Sequence, residues 1–167
     1  YVRSVNGTEL RRLTRDKAVE ASPVWSPDGK YICYVSDAGS GRPRLHVVSA
    51  TGGFSKRLPG ALGSESVSPS WSKDGKIAYS ARLGNYTVAV LDPTGKKSSR
   101  DTKQQYGALK LGSGDWESPS WAPDGRHVVC SRNFGIYVVD TWKGIARQIL
   151  GGKSKLGLPD WSDILFF

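Results

Sequence analysis

Short apolar runs recur along the chain, each closed off by glycine, proline, aspartate or serine. Tyr31-Ile32-Cys33-Tyr34-Val35-Ser36 is aromatic and β-branched, and predicts a strand. Pro27-Asp28-Gly29 before it is a turn: proline presets φ, aspartate bonds its own backbone and glycine takes a positive φ. Ser22-Pro23-Val24-Trp25-Ser26 ahead of the turn reads as a short strand with its proline near the start, where a missing N–H is tolerated. Arg44-Leu45-His46-Val47-Val48 follows a polar loop, and Ser55-Lys56-Arg57-Leu58 follows Gly52-Gly53. One unit therefore reads as four strands joined by tight turns.

The unit repeats. Ser22-Pro23-Val24-Trp25-Ser26-Pro27-Asp28-Gly29-Lys30 returns as Ser68-Pro69-Ser70-Trp71-Ser72-Lys73-Asp74-Gly75-Lys76 and as Ser118-Pro119-Ser120-Trp121-Ala122-Pro123-Asp124-Gly125-Arg126, then shortened as Leu158-Pro159-Asp160-Trp161-Ser162-Asp163. Tryptophans 25, 71, 121 and 161 stand 46, 50 and 40 residues apart. A period of that size with all-β patterning is one four-stranded propeller blade. The expected fold is all-β: a propeller of four-stranded antiparallel blades, about four in this chain. Blades are expected at about 19–58, 66–111 and 116–150. Residues 1–14 look like third and fourth strands, and 158–167 like first and second, so the two ends are expected to join in one composite blade. The polar stretch 98–115 is the least regular outer strand.

The four tryptophans, at one strand position, are expected to pack between blades, and Asp28, Asp74 and Asp124 to cap their turns. Trp116, in the connector Gly114-Asp115-Trp116-Glu117, falls outside that position and is expected as an exposed anchor. Cys33 lies four residues after Gly29 and Cys130 five after Gly125. In equivalent strands that offset turns the thiols to opposite faces, which disfavours a disulfide and predicts two inert buried thiols.

The signature Trp-Ser-Pro-Asp-Gly-Lys, the aromatic strand ending Tyr34-Val35-Ser36-Asp37, the segment Gly41-Arg42-Pro43-Arg44-Leu45 and the run Arg11-Arg12-Leu13-Thr14 resemble the C-terminal propeller of the TolB family. Leu158-Pro159-Asp160-Trp161-Ser162 is similar to that family's C-terminus. The resemblance covers nearly the whole chain, although related blades occur in other bacterial propellers and beside serine peptidase domains. It implies a periplasmic protein of the Tol–Pal envelope system, partnered by a Pal-like peptidoglycan-associated lipoprotein. It also implies six blades and an N-terminal α/β domain, more than 167 residues hold. The chain is then a fragment, or it closes alone or with a second copy through an unlatched blade edge. Starting at Tyr1 within a strand, without an initiating Met, it reads as a mature or trimmed product.

Composition narrows the chemistry. A net charge of +9 raises nucleic acid, anionic surfaces and acidic partners as candidates. The basic residues Arg11, Arg12, Lys56, Arg57, Lys96, Lys97, Arg100, Lys143 and Arg147 fall on or beside predicted outer strands, however. That ring of charge protects edges and makes no groove, so specific nucleic-acid binding is not expected, while loose attraction to anionic envelope surfaces is. No apolar run reaches the roughly 20 residues of a membrane span. His46 and His127 stand apart with no clustered ligands, so no metal site is expected. There is no Gly-x-Ser-x-Gly elbow, and Gly151-Gly152-Lys153-Ser154 lacks the first glycine of a phosphate loop, Arg147 taking its place. No cofactor and no catalysis are expected.

Propeller sites form on loops at one end of a rigid ring. Those loops carry the candidate partner-binding residues Arg15, Asp16, Lys17, Glu20, Arg42, Glu65, Arg82, Asn85, Asp115, Trp116, Glu117, Arg132 and Asn133. They mix charge sign with little apolar area, as a polar protein interface does. The sequence thus reads as a non-catalytic interaction platform. The alternatives are an accessory propeller of a peptidase or other hydrolase, and a cell-wall or carbohydrate-binding propeller.

Overall fold

A computed structural model describes residues 1–94 and 107–151. Strands β1 (Val2–Arg3) and β2 (Leu10–Arg11) form a two-stranded antiparallel sheet. Three four-stranded antiparallel sheets follow, each in chain order. The first blade holds β3 (Glu20–Trp25), β4 (Tyr31–Ser36), β5 (Arg44–Ser49) and β6 (Lys56–Arg57). The second holds β7 (Ser66–Trp71), β8 (Ile77–Leu83), β9 (Asn85–Leu91) and β10 (Gly107–Ala108). The third holds β11 (Trp116–Trp121), β12 (His127–Arg132), β13 (Gly135–Asp140) and β14 (Ile145–Gly151). Residues 158–167, expected in the composite blade, lie outside the described residues, as do Lys96, Lys97 and Arg100. No helix among the described residues is long and apolar enough to cross a membrane.

The turns between first and second strands show why the repeat is spelled as it is. In the first blade Asp28 Oδ1 accepts from the Ser26 hydroxyl at 2.6 Å and the Lys30 N–H at 3.0 Å, while the Tyr31 N–H donates to Ser26 Oγ at 2.9 Å. In the third blade Ala122 has no hydroxyl, and Asp124 Oδ1 takes both N–H groups, from Arg126 at 2.8 Å and His127 at 2.9 Å. Gly125 turns with a φ of 71°, in the left-handed region that a side chain disfavours.

The prolines of Ser-Pro-x-Trp sit inside the first strands, not near their starts. Each first strand carries a β-bulge there, its register breaking between Ala21 and Val24, Val67 and Ser70, and Glu117 and Ser120. The interrupted ladder leaves the missing N–H of proline without consequence. Ser22, Ser68 and Ser118 all stand at positive φ, 52°, 52° and 51°, a strained conformation for a residue with a side chain. Threefold recurrence makes the strain part of the blade design.

Successive residues of each second strand point to opposite faces, and both faces of the second blade are buried against its neighbours. Cys33, Val35, Leu45 and Leu58 of the first blade meet Ile77, Tyr79 and Ala81 of the second. On the other face of the second blade, Ala78, Val88, Val90 and Leu109 meet Trp116, Trp121, Val128 and Cys130 of the third. Cys33 and Cys130 therefore lie in the layers on either side of the second blade, separated by its sheet. Burial pushes both thiols up to about 12. Leu13 and Val2 close against Ile32, Tyr34 and Val48 on the outer side of the first blade. That closure is partial. Trp121 is buried and Trp71 half-buried, but Trp25 is 52% exposed, because the sheet beside it consists of only β1 and β2 among the described residues. Trp25 thus departs from its expected interblade packing, and Trp161 lies outside the described residues.

Two outcomes follow from this packing. Ellman's reagent leaves both thiols unreacted in the folded protein and titrates two on unfolding, since thiolates at neutral pH are negligible in these layers. Asp140, bonded by the Arg126 guanidinium and by the N–H groups of Lys143 and Trp142, has its carboxyl pulled down to about 2. A lowered carboxylate stabilises the fold above its unfolded value of about 4 and loses that contribution as pH falls towards 2. Urea melts at stepped pH show that loss in the native chain, and Asp140→Asn flattens it, at a cost near neutrality of about 1 kcal/mol.

Candidate interaction face

Where first strands begin, second strands end and third strands begin, the connectors of all three blades gather at one end. Five expected residues are knitted there into two clusters. In the second blade Arg82, at the end of β8, pairs with Glu65 at 3.3 Å, and the Tyr86 hydroxyl donates to the other Glu65 oxygen at 2.5 Å. The guanidinium also lies 5.7 Å from the Tyr86 ring centroid. Asp115 joins the blades by accepting the Tyr86 N–H at 2.8 Å. The Tyr86 hydroxyl, then the Arg82 charge and Arg42 beyond it, hold the Glu65 carboxyl below its ordinary value. The same carboxylate raises the tyrosine hydroxyl and the Arg82 guanidinium.

The second cluster corrects one expectation. Trp116 is not an exposed anchor: it opens strand β11, is 1% exposed, and packs edge-on to Tyr137 with ring centroids 5.1 Å apart. Its apolar area is drawn into the layer with Val88 and Cys130. What reaches the face above it is Arg132, stacked 4.9 Å from the indole centroid and bonded to the Ser113 carbonyl. Trp116 supports the guanidinium from beneath.

The other expected residues are less tied. Arg15, Asp16 and Lys17 sit on the connector between β2 and β3, and Glu20 accepts the Thr14 hydroxyl at 2.5 Å. Arg42 lies in the long loop after β4; Asn85 opens β9; Asn133, at a φ of 53°, makes the tight turn between β12 and β13. Glu117 follows Trp116 in β11. The face is also less polar than expected. Leu83 is 54% exposed and Phe134 51%, on corresponding hairpins of adjacent blades. The signal was present as one apolar residue beside glycine at each tip, in Arg82-Leu83-Gly84-Asn85 and Arg132-Asn133-Phe134-Gly135.

Elsewhere, His46 is buried with Nδ1 3.3 Å from Ser55 Oγ, and the Tyr34 hydroxyl donates to that oxygen at 2.6 Å. Burial, then the Arg57 charge, lowers the imidazole's pKa. Nε2 has no hydrogen-bond partner among the described residues. Among the described residues no three His, Cys, Asp or Glu side chains come together to hold a metal.

The repeated sheets, their bulged inner strands and the loops gathered at one end define a β-propeller protein. Residues 1–165 match the family model described as the TolB beta propeller domain, and the chain belongs to that family. A protein named as a TolB homolog from Chlorobium luteolum is 31% identical over 153 residues, 88% of this chain and 32% of the relative. The crystal structure of TolB from Acinetobacter baumannii superposes with a TM-score of 0.67 at 28% identity, over 88% of this chain and 36% of that one. The chain thus spans about a third of the length of these relatives. A puromycin-hydrolyzing peptidase of Mycobacterium tuberculosis shares the fold, with a TM-score of 0.61 at 19% identity over 86% of this chain and 22% of that one.

The two clusters separate in mutational tests. Trp116→Ala destabilises the fold by about 3–5 kcal/mol in urea unfolding, the range for removing a buried aromatic. A double-mutant cycle of Glu65→Ala with Arg82→Ala in urea unfolding returns at most a weak coupling, as for other exposed pairs.

Proposed function

We propose that this chain is a non-catalytic propeller serving as a protein-interaction platform in the bacterial periplasm. Its partner on this reading is a Pal-like peptidoglycan-associated lipoprotein, within the Tol–Pal system. The carrying observation is the exposure of Leu83 and Phe134 on corresponding hairpins of adjacent blades, at the end that also carries Glu65, Arg82, Asp115 and Arg132. Apolar anchors within a polar, partly ion-paired rim are how stable protein interfaces are built. The preorganised Arg82–Glu65–Tyr86 and Arg132–Trp116 groups would lose little side-chain freedom on binding. Membership of the TolB propeller family supports the same reading. The peptidase likeness lies below 25% identity and supports the fold alone.

Pull-down of a purified Pal-like lipoprotein tests it. Capture is expected, together with a loss of at least about tenfold in affinity for Leu83→Ser combined with Phe134→Ser, or roughly 1.4 kcal/mol. The variant's circular dichroism should match the parent, since both side chains are exposed. Absence of capture by the parent chain, or full affinity in the double variant, sinks the proposal.

A further inference from the structure

The repeats serve as controls for one another, and one seam departs from the pattern. Strand register makes Val35, Ser80 and Ser131 equivalent, as it does Ala21, Val67 and Glu117. Register also makes Arg44 equivalent to Thr87, so Pro43 just before the one corresponds to Tyr86 just before the other. Between the first and second blades this place is apolar and filled: Val35 is buried in the interblade cluster and Val67 packs against that cluster. Between the second and third blades the same place is polar and open. A cavity of about 230 Å³ is lined there by Val67, Ser68, Ser80, Tyr86, Glu117 and Ser118.

Ser80 is the informative residue. It is 0% exposed, and its hydroxyl has no hydrogen-bond partner among the described residues. An orphaned buried hydroxyl loses its water without a replacement hydrogen bond, and the valine at the equivalent position shows that the scaffold accepts an apolar residue. Across the cavity stands Glu117, a carboxylate where the other two blades have Ala21 and Val67. Tyr86 lines the cavity with a phenol group whose proton is committed to Glu65 and whose oxygen the Arg82 guanidinium also approaches. Ser68 and Ser118 reach the cavity on the strained bulges.

We infer that this seam is a binding site for a primary ammonium group, the end of a lysine side chain presented by a partner. One carboxylate matches one positive charge, and the surrounding hydroxyl oxygens match the three N–H donors of an ammonium group. A calcium ion suits the set poorly, because it takes about six to eight oxygens, several of them from carboxylates or carbonyls. The inference rests on the interaction reading only for the carrier of the ammonium group; the site itself is testable without the lipoprotein.

The test is a titration of the full chain with Nα-acetyl-lysine methylamide, followed by the backbone amide resonances of Ser68 and Ser118. Saturable shifts are expected, weakened at least about tenfold by Glu117→Gln. Ser80→Val, which installs the residue of the first blade, is expected to abolish them while holding or raising thermal stability. The uncharged norleucine analogue and calcium chloride are expected to leave both resonances in place. No shift with the lysine derivative, equal shifts with norleucine or calcium, or undiminished binding in Glu117→Gln overturns the inference. Each of those outcomes is independent of whether the chain captures the lipoprotein.

Discussion

Burial between blades is the constraint on which this molecule depends. A four-stranded sheet of this size has two faces to remove from water, and neither is covered by the sheet itself. Ile77 and Tyr79 turn to the preceding blade while Ala78 turns to the following one, so a second strand must be apolar at nearly every position. At roughly 25 cal/mol per Å² of apolar area, these layers dominate the favourable energy, and no blade would keep its shape without neighbours. The partly exposed Trp25 shows the same rule from the open side.

The first strands answer a different demand. Each must follow the inner edge of its sheet and still deliver its tryptophan to the interblade layer. The bulge at Ser-Pro does this by inserting extra backbone and bending the strand. The positive φ of Ser22, Ser68 and Ser118 is held by the ladders on either side. The exchange of Ser26 for Ala122, with Asp124 taking over the freed N–H, shows how closely the turn's hydrogen bonds are conserved while side chains change.

Since the scaffold is repeated, differences between repeats mark where individual blades do something of their own. Ser80 and Glu117 against Val35 and Val67 are such a difference in the seam. Leu83 and Phe134 are another on the end face. Basic charge follows the opposite logic: Arg11, Lys56, Arg57 and Arg147 fall on last strands, where they shield edges.

By itself the sequence determined the architecture, because blade period, turn chemistry and strand patterning are local and repeated. It placed Tyr31–Ser36 to the residue, and it separated Cys33 from Cys130 by a one-residue offset. It also named Glu65, Arg82, Asp115 and Arg132 as residues of one end. Only the tertiary structure decided what each faces. Trp116, expected at the surface, is drawn inward because the apolar layer of the second blade lies beside the start of β11. Leu83 and Phe134 stay outside because tight turns hold them beyond the last layer. Pairings such as Tyr86 with Glu65 and Asp115 join residues 21 and 29 positions apart, and sequence spacing carries no record of a contact made only when blades close on one another.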